Sequence, residues 1–334
     1  MTETTNPQVL LARRPAGEPV PEDFRLAEAP VPVPGPGEVL VRNRFLSLDP
    51  YMRGRMNEAK SYAPPVAIGA VMGGRCVGQV VSSAVEGFAP GQWVAGGEGW
   101  QHFSAVPAAA LRLLDPDAAP PSAFLGVLGM PGTTAWVGTT EIAPVKPGET
   151  FVVSAASGAV GSVAGQIARE MGARVVGIAG GAAKCAFVTA ELGFDACLDH
   201  RAPGFPEALA AACPDGVDVY FENVGGAVQR AVWPLLNPFA RVAVCGLVSE
   251  YSAEPPPPGP NLREMMGKRL TLRGFIVGDH PRAAAEWRDT GARWLRDGRL
   301  KYREDVVHGL SRAPEAFLGL LAGRNFGKLV VALD

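Results

Sequence analysis

Along the chain the apolar positions change texture twice. Up to about residue 124 they fall in short β-branched runs such as GEVLVRNRFLSL (37–48) and GRCVGQVVSS (74–83), separated by turn signals such as PGPGE and APGQ. That is the pattern of an irregular β domain. From about Leu125 apolar runs alternate with helical stretches: TFVVSAA (150–156), RVVGIAG (174–180), DVYFENVGG (218–226), RVAVCGL (241–247) and LTLRGFIVG (270–278). Strands that are apolar throughout need cover on both faces, so these runs predict a parallel sheet between helix layers. Next, HPRAAAEWRDTGARWLRDG (280–298) carries Ala284, Trp287, Arg288, Gly291, Trp294 and Leu295 at helical spacing, with Gly298 as its stop. The first texture then returns: YREDVVHGL (302–310) reads as a strand, APEAFLGLLAG (313–323) as a short helix with Pro314 in its first turn, and GKLVVAL (327–333) as a final strand. There is no internal repeat, and EPPPPGPN (254–261) reads as an extended surface loop.

A chain of 334 residues exceeds what one core serves. The simplest arrangement is an α/β protein of two domains: a β domain from both chain ends, 1–124 with 299–334, and a doubly wound nucleotide domain, 125–298, inserted between them.

The first apolar run of the inserted domain continues into VVSAASGAVGSVAGQIA (152–168). There Ala156, Gly158, Ala159, Val160 and Gly161 form the G-x-G-x-x-G dinucleotide turn with alanine in its first place. The turn follows an apolar strand and opens a helix whose unpaired N–H groups suit a pyrophosphate. The alternative is glycine kept only for close packing of helix on sheet. At the end of the next strand, where a carboxylate would bind the ribose 2′-hydroxyl of NAD, the chain reads GIAGGAAK (177–184). Gly180 and Gly181 stand there with Lys184 behind them, so a 2′-phosphate meets no repulsion and finds a cation, which favours NADP(H) over NAD. One charge-assisted hydrogen bond is worth about 1.5–3 kcal/mol, or roughly ten- to a hundredfold; the alternative for Lys184 is a solvated lysine at a helix start. Asn223, Gly225 and Gly226 in FENVGG, and Cys245 with Gly246 in VCGLVSEY, end later strands on the side where open parallel sheets bind ligands. Asn223 offers both donor and acceptor to a ribose or carboxamide. Singly, each is also an ordinary turn residue.

Charge and composition narrow the partners. With 31 Lys+Arg against 33 Asp+Glu there is no basic footprint for nucleic acid, and no uninterrupted run of about 18 apolar residues suggests a membrane span. The five cysteines form no C-x-x-C pair and the polar start MTETTNPQ lacks an apolar h-region. Together these point to a cytoplasmic protein with free thiols and a small-molecule partner. His102, His200, His280 and His308 form no H-E-x-x-H, which argues against a catalytic zinc, and no G-x-S-x-G supports a hydrolase triad. Hydride chemistry without a metal needs a donor for the oxyanion that forms when hydride adds to a conjugated carbonyl, and a tyrosine hydroxyl is suitable. Tyr251, just past VCGLVSEY, and Tyr51, in LDPYMRGRM (48–56), are the candidates. For each the alternative is a packed aromatic with its hydroxyl at the surface. Arg53 and Arg55 read as solvent-facing or structural.

These segments, with LGMPGTTAWVG (128–138), GIAGGAAKC (177–185), PDGVDVYFENVGG (214–226), LVSEY (247–251) and GRNFGKLVV (323–331), resemble over nearly the whole chain the zinc-independent branch of the medium-chain dehydrogenase/reductases. The resemblance is to the leukotriene B4 12-hydroxydehydrogenase / 15-oxo-prostaglandin 13-reductase group, with plant double-bond reductases and bacterial curcumin reductase. It implies a GroES-like β domain completed by the C-terminus, a Rossmann domain, NADPH as cofactor, and reduction of the C=C bond of α,β-unsaturated ketones or aldehydes. It also implies roles: Lys184 on the 2′-phosphate, Asn223 and Asn325 on the cofactor, Tyr251 beside the nicotinamide ribose and the substrate carbonyl, Tyr51 in the substrate pocket, and a homodimer paired through LTLRGFIVG. One departure stands after GFDACLD, where the family has a phosphate-binding tyrosine and this chain has His200. An imidazole donates to phosphate most strongly when protonated, so NADPH preference is expected to weaken as pH rises through the titration of His200. Substrate choice is expected to lie with 56–65 and 252–261. Two other readings remain open at this point: a quinone or carbonyl reductase of the same superfamily, and an NADPH-binding protein without turnover.

Overall fold

The computed structural model describes residues 4–59, 61–255 and 257–333. Lys60 and Pro256, one in each of the two segments expected to set substrate choice, lie outside the described residues. The chain divides into two compact units, one built from the residues up to Leu125 with Glu304–Asn325 and those from Leu329 on, the other from Gly126–Arg303 with Phe326–Lys328.

The first unit opens with β1 (Thr5–Leu11) and β2 (Phe24–Pro30), an antiparallel pair. There follow β3 (Glu38–Ser47), α1 (Tyr51–Arg55), β4 (Arg75–Ser83), β5 (Trp93–Glu98), β6 (Phe103–Pro107) and β7 (Arg112–Leu113). The second unit runs α2 (Met130–Val137), β8 (Thr150–Ser154), α3 (Gly161–Glu170), β9 (Arg174–Ala179), α4 (Ala182–Ala190), β10 (Ala196–Asp199), α5 (Phe205–Ala212), β11 (Val217–Glu222), α6 (Gly226–Val232), β12 (Leu236–Val244), α7 (Leu262–Lys268), β13 (Thr271–Gly274) and α8 (Pro281–Arg296). The chain then returns through β14 (Glu304–His308), α9 (Ala313–Leu321) and β15 (Lys328–Ala332).

That return completes the first unit. β15 lies antiparallel to β3, Val330 opposite Ser47 and Val331 opposite Leu46, giving the order β14-β15-β3-β4-β5-β7 with β6 also on β3. Its core gathers Leu46, Met52, Met56 and Leu329 around Trp100, which stacks on Phe24 at 5.7 Å and meets Phe317 of α9 edge-on at 5.6 Å. This is the GroES-like architecture expected.

In the second unit six parallel strands take the order β10-β9-β8-β11-β12-β13. Connections run outward in both directions from the β8/β11 pair, the Rossmann arrangement whose ligands lie beyond the carboxyl ends of the strands. Gly165 lets α3 pack against the segment between α4 and β10, since the ring of Phe194 fills the place a side chain on Gly165 would take. On α8 the buried positions are Ala283, Trp287, Gly291 and Trp294, so the apolar face passes through Ala283 rather than the expected Ala284. Trp136 of α2 packs on both Trp287 and Trp294 at ring-centroid distances of 5.6 and 6.4 Å.

Four further details differ from the sequence expectation. β10 was not expected; it is four half-buried residues at the sheet edge, too short to show a period. β12 begins at Leu236 rather than near Arg241, because Asn237 and Pro238 resemble a turn and Phe239, at φ +67°, interrupts an otherwise regular strand. β13 is shorter than LTLRGFIVG, which turns into a 3₁₀ turn at Val277–Asp279. Residues just beyond 298 stay with the second unit: Arg299 pairs with Glu170, and Gln166 of α3 donates to the Lys301 carbonyl at 2.9 Å.

Candidate functional site

The glycine turn is shaped by its own backbone. After β8, Ala155 takes φ +52° and Ala156 donates its N–H to the Ile178 carbonyl at 2.9 Å. The Ala156 methyl is directed at Gly177 of β9, where a Cβ would come within 2.8 Å of it. Alanine therefore fits the first place of the motif because the neighbouring strand lacks a side chain opposite it. A Cβ on Gly158 would come 3.1 Å from the Ala155 carbonyl oxygen, and one on Gly161 would collide with the same atom. Ala159, Val160 and Gly161 then lead into α3, whose N-terminus no side chain caps. This is a cradle of the kind that holds a pyrophosphate on helix N–H groups.

Along the same sheet edge, β9 ends at Gly180, and the charges gather there. A Cβ on Gly180 would lie 3.0 Å from both His200 Nε2 and Arg201 Nε, so the two side chains flank the bare backbone. Their loop is fixed by Asp199, which accepts from Gly181 N at 2.9 Å and Arg201 N at 3.0 Å. Those two bonds hold the Asp199 carboxyl below the usual carboxylate range. Lys184, half-buried in the first turn of α4, is near enough that its charge, after burial and Arg201, lowers the His200 pKa. The result is a corner with three cationic or potentially cationic side chains, whose one carboxylate is turned to the backbone. It fits a ribose 2′-phosphate. Arg201 was missed in the sequence because it follows His200 with no motif of its own. The lowered pKa of His200 also moves the expected pH window toward acid.

The ends of β8, β11 and β12 meet in a buried polar network. Ser154 Oγ donates to Glu222 Oε1 at 2.9 Å and accepts from Asn223 N at 2.8 Å, while Asn223 Nδ2 donates to the Ser154 carbonyl at 2.8 Å. Glu222, fully buried, also accepts from Val224 N at 2.7 Å and Gly225 N at 3.0 Å through the same oxygen. Gly225 and Gly226 have φ of +77° and +55°, and Gly226 N donates to Glu250 Oε1 at 2.9 Å. The following loop is stitched on by Val248 N to the Asn223 carbonyl at 3.2 Å and Ser249 Oγ to the Val224 carbonyl at 2.6 Å. It ends at Tyr251, whose hydroxyl lies 2.9 Å from where a Cβ on Gly246 would stand. Cys245 and Gly246 both donate their N–H groups to the Glu222 carbonyl, at 2.9 and 3.1 Å. Burial, with the Glu222 charge second, pushes the Cys245 thiol up to about 12, so it offers no thiolate. Glu222 and Glu250 gave no sequence signal, since a carboxylate inside a strand or beside a 3₁₀ turn belongs to no motif.

The remaining candidates belong to the first unit. Tyr51 opens α1, half-buried against its core, and burial followed by the Asp49 carboxylate raises its pKa, so the hydroxyl remains a donor at any working pH. Asn325 lines a cavity of about 180 Å³ with Arg312, Glu315 and Arg324. Arg53 is buried and structural, its guanidinium donating to Asn57 Oδ1 at 2.5 Å and to the Gly17 carbonyl at 2.7 Å.

Residues 7–114 match the family model described as the N-terminal domain of oxidoreductase, and residues 159–295 the one described as zinc-binding dehydrogenase. Among the described residues no group of three His, Cys, Asp or Glu stands where it could hold a metal ion, and no helix is long and apolar enough to cross a membrane. The chain is 50% identical over 332 residues to the NADPH-dependent curcumin reductase of Escherichia coli (strain K12), covering 98% of this chain and 96% of that one. It is 38% identical to the 2-alkenal reductase (NADP(+)-dependent) of Nicotiana tabacum, covering 99% of this chain and 98% of that one. Of solved structures, CurA in complex with NADPH from Vibrio vulnificus is similar with a TM-score of 0.94 and 47% identity, covering 98% of this chain and 99% of that one.

Proposed function

The chain belongs to the zinc-independent medium-chain dehydrogenase/reductases, in the group of the curcumin and prostaglandin reductases, and from that membership we propose how its own residues carry the group's reaction. The protein is an NADPH-dependent reductase of the C=C bond of α,β-unsaturated ketones and aldehydes. The observation that carries the cofactor assignment is the corner at Gly180, where His200, Arg201 and Lys184 gather and the Asp199 carboxylate is taken up by the Gly181 and Arg201 backbone N–H groups.

Bound NADPH supplies the hydride that is added at the β-carbon of the substrate. In the residue assignment we favour, Ala156, Gly158, Ala159, Val160 and Gly161 hold the pyrophosphate on backbone N–H groups. Gly180, Lys184, His200 and Arg201 hold the 2′-phosphate, and Asn223, Cys245, Gly246 and Tyr251 line the nicotinamide end. Asn325 is a further cofactor contact in this assignment. The Tyr251 hydroxyl donates to the substrate carbonyl oxygen as negative charge develops there, and the α-carbon takes its proton from that hydroxyl or from solvent. Tyr51 is assigned to the substrate pocket, where its raised pKa keeps it a neutral donor. Orientation and oxyanion stabilisation, rather than covalent chemistry, then account for the rate.

A homodimer paired through β13 belongs to the same proposal. Its support is the position of β13 at the edge of the six-stranded sheet, with exposed Leu262 and Met266 on the neighbouring α7. A cytoplasmic site of action is supported by five free thiols.

The test is NADPH consumption against an enal, a linear enone, a cyclic enone, a quinone and a saturated aldehyde, with products identified by mass. A product two mass units heavier with its carbonyl intact supports the reading. Turnover of the quinone alone would transfer the protein to the quinone reductases, and NADPH binding without turnover of any acceptor would leave a binding protein.

A further inference from the structure

Resting on the cofactor reading above, we propose that Glu222 is a positioning residue for the nicotinamide end of the site, acting through the Asn223–Gly226 loop on both Asn223 and Tyr251. A carboxylate at the end of a buried strand is costly to desolvate, and Glu222 is fully buried with Oε2 lacking a hydrogen-bond partner among the described residues. What offsets the cost is the number of donors that converge on Oε1: Ser154 Oγ at 2.9 Å, Val224 N at 2.7 Å and Gly225 N at 3.0 Å. Two are backbone groups of a loop with two consecutive glycines at positive φ, which has little conformational preference of its own.

The order passes along two routes. Ser154, oriented by Glu222, accepts from the Asn223 backbone N–H, and the Asn223 amide is held by donating Nδ2 to the Ser154 carbonyl. The Asn223 Oδ1 then makes no hydrogen bond within the described residues. By the second route the fixed loop offers its Asn223 and Val224 carbonyls to Val248 N and Ser249, and that segment leads directly to Tyr251. Glu250 reinforces it by accepting from Gly226 N at 2.9 Å. Tyr220 and Cys245 both titrate higher because of burial and the Glu222 charge, which places that charge beside the network rather than on the outer surface. The adenosine corner at Gly180 shares none of these hydrogen bonds.

The separation supplies the test. Dissociation constants for NADPH and for adenosine 2′,5′-bisphosphate, which has no nicotinamide half, are measured by calorimetry on the wild type, Glu222→Ala and Glu222→Gln. Glu222→Ala leaves the Val224 and Gly225 N–H groups without this acceptor and Ser154 Oγ with only the Phe221 carbonyl at 3.4 Å, so NADPH is expected to bind about tenfold more weakly, while the bisphosphate binds as before. Glu222→Gln keeps a neutral acceptor of nearly the same shape and is expected to restore most of the loss; it carries the test if the alanine variant does not fold, showing a smaller weakening confined to NADPH. Parallel weakening of both ligands would reduce Glu222 to a structural residue, and unchanged NADPH binding in both variants would overturn the proposal. A wild type that binds NADPH but not the bisphosphate would overturn the assignment of the adenosine corner, and one that binds neither would overturn the cofactor reading itself.

Discussion

The two ends of the proposed cofactor site, both on the carboxyl edge of one parallel sheet, are built on opposite physical terms. At Gly180 Lys184 and Arg201 are cationic and His200 is so only when protonated; His200 and Arg201 are exposed, on a loop whose backbone Asp199 fixes. At Glu222 the carboxylate and Ser154 are buried, and with the half-buried Asn223–Gly226 loop they bond into one network that spans three strands. Exposed charges act nearly independently and are screened by salt. A buried network acts as a unit, so removing one member leaves others unsatisfied. One end should therefore discriminate between cofactors in graded steps, and the other should set geometry all at once.

The largest effect expected falls at the buried end. Tyr251→Phe removes the hydroxyl above Gly246, and kcat with an enone should fall about a hundredfold or more with the NADPH dissociation constant unchanged; a loss confined to KM would break the distinction between holding the cofactor and stabilising the oxyanion. Gly161→Ala comes next, because its methyl would collide with the Ala155 carbonyl oxygen, a backbone atom that cannot move without the turn. Overpacking of this kind costs about 1–3 kcal/mol; thermal unfolding should register it together with weaker binding of NADPH and NADH alike, and an unchanged melting temperature would count against the cradle.

At the charged end the steps are smaller. Lys184→Ala should cut the preference for NADPH over NADH about tenfold, from one charge-assisted bond, and Arg201→Ala should cut it by less because the side chain is more exposed; the pair together should add. NADPH affinity should also weaken as ionic strength rises while NADH affinity stays level, as calorimetry at two salt concentrations would show. The smallest effect is the pH dependence of His200. In the free protein partial desolvation of the ring, then Arg201 and Lys184, hold its pKa below the usual value, and a phosphate beside the ring raises it on binding. The charged imidazole therefore strengthens binding fully below the free-state pKa, and the contribution is lost as pH rises through the bound-state value. A few-fold weakening of NADPH binding toward alkaline pH, absent in His200→Ala, is expected; the same slope in the variant would assign it to another group of the protein, because ionisation of the phosphate itself strengthens binding as pH rises.

How much of this was legible in the sequence depended on whether chemistry came with a spacing. The glycine turn, the missing carboxylate and Lys184 stood at fixed offsets from an apolar strand, and the long buried strands declared themselves by composition. The return of the chain into the first sheet was readable because β14, α9 and β15 are bounded by glycine and proline. β10 was not, being four half-buried edge residues, and the start of β12 was hidden by Asn237 and Pro238, which look like a turn. Arg201 reaches Gly180 only because β10 pairs with β9 and brings its loop to that corner. The role proposed for Glu222 comes from what its loop folds back upon, and no periodicity records that.

Cofactor choice and reaction are tested together by kcat/KM for NADPH and for NADH, measured on the unmodified protein with one linear enone and the product identified by mass. The saturated ketone is expected, with a preference for NADPH of at least about tenfold, the contribution of one charge-assisted contact to a 2′-phosphate. Equal rates with the two cofactors, or a preference for NADH, would contradict the reading of the corner formed by Gly180, Lys184, His200 and Arg201.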